Sequence, residues 1–475
     1  MDWAPLNNFK LFSLLGKVQQ MKSNLFFNVL IIALTSGILM VSCKHEPINS
    51  KALPNSETYC DTSDVILNSA SIEGYSNKIS YQPGEKIQFK IHSSNPVHDI
   101  EIARYGASVQ LVHQELSIPG IKQNYHCYSY SYGCRWLTTY EVLVDPSWVS
   151  GLYSAKLINP ADNKIAWISF VVRKSGSDPV KDILMLSSTN TWAAYNDWGG
   201  GSFYDFPMDE NVLGSENVSF QRPNKYADPT AVGGHLVGSE TYLLRWMEKN
   251  GYSWDHASDR DLHDELDLLG PYKCVIIQTH PEYYTKEMYN KLYRYVQQGG
   301  HLAYLGGNAI WGKVVIDPKR DILEIRRNYQ AHSYENSIGG LWRHLDLPES
   351  RLLGVQYSET GYLTWKPYQV LNSGHWVFDG TGVSTGDFFG SDCMDTQGAS
   401  GHETDKMTIE SSRIPGIQLL AKGTNPNNGG ADMIYYQTTG GGEVFSVGSI
   451  SFTTCLLTDS VQSRIVRNVL NRFIQ

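Results

Sequence analysis

Two periodicities of apolar residues divide this chain. From about residue 69 to residue 172, apolar and polar side chains alternate, as in Lys86-Ile87-Gln88-Phe89-Lys90-Ile91 and Asp99-Ile100-Glu101-Ile102. A period of two marks strands with one buried face. Pro83-Gly84-Glu85 supplies a turn just ahead of the first of these runs. Residues 174–179 (Lys-Ser-Gly-Ser-Asp-Pro) read as a linker, and beyond them the pattern changes. Short apolar runs follow: Ile183-Leu184-Met185-Leu186, Cys274-Val275-Ile276-Ile277, Leu302-Ala303-Tyr304-Leu305 and Val444-Phe445. Between them, residues 241–249 and 286–297 carry helical spacing, closed by Asn250-Gly251 and Gly299-Gly300, and residues 461–473 form a closing amphipathic helix. Strands alternating with helices build a mainly parallel sheet. Residues 311–425 interrupt the alternation as a long, irregular insertion rich in glycine and aromatics. Long loops in compact domains are usually functional or disordered.

The expected fold class is therefore α+β multidomain. An N-terminal immunoglobulin-like β-sandwich over residues 67–174 precedes an α/β flavodoxin-like domain, of the class I glutamine amidotransferase-like kind, over residues 180–475. The N-terminus adds a targeting segment. With Met21 as the expected start, Lys22 is a positive n-region, residues 25–40 are mostly apolar, and Val41-Ser42-Cys43 resembles a bacterial lipobox. That order is a lipoprotein signal peptide over residues 21–43, with Cys43 as the lipidation site and residues 44–66 as a tether. The implied localisation is exported and membrane-anchored, facing the periplasm or the cell surface. A single membrane-spanning anchor is the alternative, but the run is short beside the ~20 apolar residues a bilayer needs.

Composition narrows the partners. The net charge of −9 comes without a basic stripe, so nucleic acid is not an expected partner. The 29 tyrosines and 12 tryptophans suit a polar, tyrosine-lined pocket or contact with carbohydrate. Export permits disulfides: Cys127 and Cys134 flank a hairpin-tip sequence that one bridge would close, while Cys274 and Cys455 sit in apolar contexts that favour buried thiols.

Chemistry concentrates where apolar strands end, since ligands of α/β sheets bind outside the carboxyl ends of the strands. The first strand runs into Thr191-Trp192-Ala193-Ala194-Tyr195 and then Trp198-Gly199-Gly200-Gly201-Ser202-Phe203-Tyr204. The second runs into His280-Pro281-Glu282-Tyr283, and the third into Gly306-Gly307-Asn308. His280 and Glu282, two apart in extended geometry, would face the same way, as a ligand and an acid–base partner or as an ordinary hydrogen-bonded strand end. Tyr195 and Tyr204 read as hard oxygen ligands or as packed aromatics, and Asn308 as a pocket amide or a turn residue. No His-Glu-x-x-His helix occurs, and the Thr279–Glu282 turn carries no thiol nucleophile.

At these residues the chain resembles the C-terminal catalytic domain of the N,N-dimethylformamidase large (beta) subunit-like family. The carrying motifs are Ala194-Tyr195-Asn196, Gly201-Ser202-Phe203-Tyr204-Asp205, Thr241-Tyr242-Leu243-Leu244-Arg245-Trp246, Ala257-Ser258-Asp259-Arg260-Asp261-Leu262-His263, His280-Pro281-Glu282-Tyr283-Tyr284 and Gly306-Gly307-Asn308. They span about residues 181–475. The resemblance implies a mononuclear ferric iron, Fe(3+), held by Tyr195, Tyr204 and Glu282, with His280 and Asn308 as active-site residues. It implies Glu403, in Gly401-His402-Glu403, as catalytic base, with another insertion residue as the alternative. The family's pocket lysine has no clear counterpart, and Arg326 or Arg327 lies near its place. The expected activity is that of an amidohydrolase acting on linear amide C–N bonds of small-molecule or polymer-derived substrates. The competing readings are a non-catalytic glycan-binding or cell-surface module with an aromatic-lined cleft, and a sugar-modifying enzyme without iron.

Overall fold

The computed structural model describes residues 65–204 and 214–475, all within one compact unit from Leu53 to Gln475. The signal, Cys43 and nearly all of the tether lie outside the described residues. Among the described residues, no helix is long and apolar enough to cross a membrane.

The alternating N-terminal sequence forms two facing antiparallel layers. One holds Ile72–Ser76, Lys86–Ser93 and Tyr140–Leu143; the other runs Ser80–Tyr81, Lys164–Val172, Gly151–Asn159, Val97–Tyr105, Val109–Pro119, with Ser80–Tyr81 joined in parallel. Side chains at every second position, such as Ile87, Phe89, Ile91 and Ile100, Ile102, meet Tyr153, Leu157 and Phe170 between the layers. The expected hairpin tip at residues 127–134 is instead a short helix, Ser129–Tyr132, and its two cysteines are not bridged. Among the described residues, a disulfide joins Cys393 to Cys455, 62 residues apart, so Cys455 is not the buried thiol its apolar neighbours predict.

The second half is organised by a nine-stranded sheet. Five parallel strands stand in the order Asp255–Ser258, Ile183–Ser187, Cys274–Thr279, His301–Gly306, Glu443–Ser446, which is 2-1-3-4-5 in chain order. Four antiparallel strands extend it: Asp432–Gln437, Gln418–Gly423, Tyr368–Val370 and Phe388–Phe389. Both faces are covered, which is why the parallel strands read as unbroken apolar runs. Ile183, Met185, Cys274 and Ile276 pack beneath Leu243, Met247, Val466 and Val469. Leu184, Leu186, Val275 and Ile277 pack against Met288, Leu292 and Val296. The helix Lys286–Gln297 has the predicted bounds, with Thr285 Oγ1 accepting from the Met288 backbone as its cap. The region at 311–425 is less irregular than its sequence suggests: three of the antiparallel strands start or end in it. It also supplies Gly312–Asp317 and Ile322–Ile325 to a second, smaller sheet with Asn217–Ser219 and Tyr283–Tyr284.

One buried acid fastens the first strand end. Glu240, on the helix Val237–Lys249, accepts from Ser187 Oγ at 2.7 Å, the Ser188 backbone at 3.0 Å and Trp192 Nε1 at 3.0 Å. Burial raises its pKa from 4.5 to about 8, against the pull of those donors. An acid whose folded pKa is raised holds its proton in the native state while the unfolded chain has lost it, so its contribution falls as pH rises from ~4.5 to ~8. We expect Glu240→Gln to gain stability relative to wild type across that window. The gain should be at most ~1.4 kcal/mol per pH unit, read as the difference in urea-unfolding free energy at pH 5 and pH 8.

Candidate active site

The strand order reverses between Ile183–Ser187 and Cys274–Thr279, and the crevice outside such a switch point is where ligands settle. The helix Thr189–Tyr195 leaves the first strand there and ends on Tyr195. Its start is fastened by Asp259, whose carboxylate accepts from the Asn190 backbone at 2.9 Å and from Thr189 Oγ1. The chain then loops through the glycines and returns, with the Phe203 N–H donating to the Ala194 carbonyl at 2.9 Å. That return brings the Tyr195 and Tyr204 rings to a centroid separation of 4.3 Å.

The loop is held from within by Arg222. Its fully buried guanidinium donates to the carbonyls of Trp198 (2.6 Å), Gly201 (2.9 Å), Ala193 (3.2 Å), Asn196 (2.7 Å) and Ser219 (3.1 Å). From outside, the β-sandwich clamps it: Trp198 Nε1 donates to Glu73 at 2.7 Å, and the Trp198 ring packs on Trp136 and Tyr125. Gly201 lies so near Tyr130 that an added Cβ would stand 2.6 Å from its ring. Trp198 and Gly201 thus serve the docking of the two layers, while Tyr195 and Tyr204 face the crevice.

The second strand ends at Thr279, whose φ of +58° turns the chain sharply. His280 and Glu282 do not continue as extended chain; the Glu282 N–H closes a three-residue turn onto the His280 carbonyl at 3.0 Å and also donates to Thr191 Oγ1 at 3.0 Å. Their side chains still converge, with His280 Nε2 3.3 Å from Glu282 Oε2 and equally 3.3 Å from Glu403 Oε2. At the third strand end, Gly306 and Gly307 permit backbone contact that a Cβ would block, at 2.6 Å from Thr279 O and Glu403 O respectively. Asn308 follows at φ +49°, and its Nδ2 donates to Glu403 at 2.7 Å, with Glu282 Oε1 3.5 Å away. His402, beside Glu403, also stands at positive φ, +65°. Such backbone geometry in non-glycine residues costs of order 1–3 kcal/mol and gathers at working sites.

All six predicted side chains therefore meet. Tyr204 Oη lies 2.7 and 2.9 Å from the two Glu282 oxygens, and Tyr195 bonds to both Tyr204 and Glu282. Tyr204 is 40% exposed, yet its hydroxyl reaches this buried cluster. Asn308 and His280 address the two carboxylates, rather than standing as two free oxyanion donors. Sequence reasoning missed Tyr283, whose hydroxyl is 2.5 Å from that of Tyr204; only its position next to Glu282 signalled it. It also missed Asp405, which accepts from the Asn308 backbone at 2.8 Å and Tyr304 Oη at 2.6 Å, and His235, whose ring edge meets Tyr195 at 4.5 Å. Of the two arginines, Arg327 lies over the Tyr204 and Phe203 rings, while Arg326 is engaged by Glu216 and Glu324. A cleft of about 560 Å³ between sandwich and sheet, lined by Lys90, Arg173, Arg260 and Asp321 among others, contains none of the six.

The electrostatics are lopsided. Burial pushes Glu282 up to about 7 despite the opposing His280. Burial acts the same way on Glu403, but the charge and hydrogen bond of His280, with Asn308, hold it down at about 2. Burial disfavours the His280 cation, yet Glu282 and Glu403 outweigh it and raise its pKa. Burial, then the Glu282 charge, drives Tyr195 and Tyr204 well above the ordinary phenol. Three oxygen donors thus crowd together where burial and neighbouring acidic charge oppose ionisation of the phenols, and only the hydrogen bond from Tyr204 favours it at Tyr195. A multiply charged cation reverses that balance, so the residues present fit a hard, oxygen-loving metal.

Residues 99–463 match the family model described as N,N-dimethylformamidase beta subunit-like, C-terminal. The chain belongs to that family. The match begins inside the sandwich, ahead of residue 181 where the sequence motifs begin. Two similar relatives are the N,N-dimethylformamidase beta subunits of Paracoccus aminophilus, 25% identical, and of an Alcaligenes species, 24% identical. Each alignment covers 72% of this chain and 55% of the relative, so the chain spans about half the length of the curated relatives it matches. Among solved structures, Parabacteroides merdae beta-glucuronidase aligns over 49% of this chain and 27% of its own, at 9% identity and a TM-score of 0.16, too slight an overlap to bear on fold or function.

Removing the Arg222 guanidinium takes a donor from five carbonyls, and each unmet buried group costs ~1–3 kcal/mol. We expect Arg222→Met to lower unfolding free energy by at least ~3 kcal/mol. Arg222→Lys should recover only part, because an ammonium lacks the planar fork. Urea unfolding of the three proteins checks both.

Proposed function

We propose that this chain is an amide (C–N) hydrolase of the dimethylformamidase kind, working with a mononuclear ferric iron. The observation that carries the reading is the meeting of Tyr195, Tyr204 and Glu282 oxygens beside a second carboxylate, Glu403, and the imidazole between them. Family membership supports a hydrolase of this kind, and the donor chemistry supports the metal. The fold class belongs to the same proposal. Two facing antiparallel layers support an immunoglobulin-like sandwich, and the 2-1-3-4-5 strand order supports a flavodoxin-like sheet. Export and anchoring through Cys43 rest on the sequence of residues 21–43 alone.

Tyr195, Tyr204 and Glu282 would hold the ion, which supplies Lewis acidity toward the amide carbonyl and toward water. The chain's own groups handle the protons. Glu403, kept ionised by His280 and Asn308, takes one proton from the attacking water. As the C–N bond breaks, that proton passes to the departing nitrogen, leaving a carboxylic acid and an amine. His280 lies 3.3 Å from both carboxylates and so holds Glu403 beside Glu282 throughout. Asn308 Nδ2 fixes the Glu403 oxygen that would otherwise turn. Arg327 lies over the Tyr204 ring, and it stands near the place in sequence where the resemblance expects a pocket lysine.

The test is iron analysis of exported protein together with its visible spectrum and amine release from a panel of linear amides. We expect about one iron per chain, a phenolate-to-iron charge-transfer colour, and amine release. Tyr195→Phe should lose the colour and most of the metal. Glu403→Gln should keep both and lose ~10²-fold or more in turnover, the scale of general acid–base catalysis. A colourless, iron-free wild type that releases no amine overturns the reading.

A further inference from the structure

The cleft between sandwich and sheet takes no part in the crevice, and its charges are unevenly placed. Its larger lobe, about 560 Å³, shares Tyr75, Lys90, Gln221 and Arg320 with a smaller lobe of about 250 Å³, so the two are continuous. In the larger lobe, carboxylates and guanidinium groups answer one another. Arg173 meets Asp261 at 3.3 Å and also Glu265, while Arg260 meets Asp264 at 2.9 Å and Asp321 at 2.8 Å. The smaller lobe differs. Lys90, Arg135 and Arg320 line it with Tyr75, Tyr132 and Gln221, and no carboxylate among the described residues does.

The three cations arrive on separate stretches of chain. Lys90 is half-buried on the strand Lys86–Ser93, with Nζ 3.3 Å from Gln221 Oε1 and 5.3 Å from the centre of the Tyr75 ring. Burial lowers its pKa more than the charges of Cys134 and Asp321 raise it. Arg135 follows the short helix Ser129–Tyr132 and stands at φ +57°, left-handed geometry that a long side chain rarely adopts. The Cys134 N–H pins that segment to the Gln221 carbonyl at 2.9 Å. Arg320 comes from the turn between Gly312–Asp317 and Ile322–Ile325. Asp317 accepts from its Nε at 2.7 Å, which leaves the Nη end of the fork for another acceptor. Like charges gathered on one pocket repel until something negative lies between them. A carboxylate would bring a single charge. A phosphate monoester brings three acceptor oxygens and a charge of about −2, which Arg reads with a planar fork and Lys as a point charge. The larger lobe gives room beside it for an organic group, reaching Trp192 and Asn196 in the stretch that carries Tyr195.

We infer that the smaller lobe binds a phosphate group, free or as the monoester of a compact organic molecule, through Lys90, Arg135 and Arg320. None of the six crevice side chains lines either lobe, so the inference stands apart from the hydrolase reading. The test is calorimetric titration of the full chain, at low ionic strength, with inorganic phosphate, glucose 6-phosphate, glucose and acetate. We expect saturable phosphate binding that weakens as salt rises. Acetate should bind at least about tenfold more weakly, having fewer oxygens and less charge to offer, and glucose should give no heat. Glucose 6-phosphate binding more tightly than phosphate marks an ester as the ligand, and equal or weaker binding marks the free anion; either sustains the site. Arg320→Met, on an exposed turn, should weaken phosphate binding about tenfold, the loss of one charge-assisted hydrogen bond. Lys90→Met should do the same, and if urea unfolding shows that variant to be unfolded, Arg320→Met decides alone. Absent phosphate binding, acetate binding as tightly as phosphate, or phosphate binding that the folded variants leave unaltered overturns the inference.

Discussion

The buried guanidinium of Arg222 is the constraint on which the crevice depends. A loop that must carry two tyrosines inward cannot also form a strand or a long helix, so its carbonyls lack regular partners. Three of them, at Asn196, Trp198 and Gly201, turn toward one side chain, which also takes the carbonyls of Ala193 and Ser219. Buried backbone carbonyls without partners are rare in native structures, and a rigid five-donor fork satisfies several at once in a way no apolar residue can. The arrangement converts a glycine-rich stretch into a stiff bracket. Burial lowers the Arg222 pKa to about 9, so the group remains a cation at neutral pH and adds positive potential behind the tyrosines.

The bracket would still swing if it touched only the α/β half. The sandwich prevents this by contributing Glu73, Trp136 and Tyr130 to the outer side of the loop. Arg104 of the sandwich also reaches Glu248, near the end of the helix that carries Glu240, at 2.5 Å. The N-terminal layers are therefore part of the site's framework rather than a detachable spacer. The family match begins within them, as this dependence requires.

How much of this could be read from the sequence follows from what each residue contacts. The helix Lys286–Gln297 and four of the five parallel strands were legible because their side chains answer to neighbours a few positions away or to one apolar layer, whereas Asp255–Ser258 carries no apolar run. The helix Val237–Lys249 begins four residues before its apolar spacing does, because its first turn includes Glu240, buried for polar contact with the first strand end, and Ser239, bonded to the Gly234 carbonyl. Tyr195, Tyr204, His280, Glu282 and Asn308 stood out as strand-end residues within family motifs. Trp198 and Gly201 were visible too, but their purpose was not, since Glu73 and Tyr130 are far away in the chain. The Cys393–Cys455 bridge and Tyr283's bond to Tyr204 depend on chain returns that no local pattern encodes.

The insertion shows the same limit in its strongest form. Glu403 is pinned by three contacts from elsewhere: Asn308 Nδ2, His280 Nε2 and the Ile450 N–H on its carbonyl. Those contacts require Gly307 to lie almost on the Glu403 backbone, so a single Cβ there would move the carboxylate. Beside Glu403, His402 stands in left-handed geometry with its ring 4.8 Å from that of His235. The same short span thus sets both the buried carboxylate and the ring that meets His235.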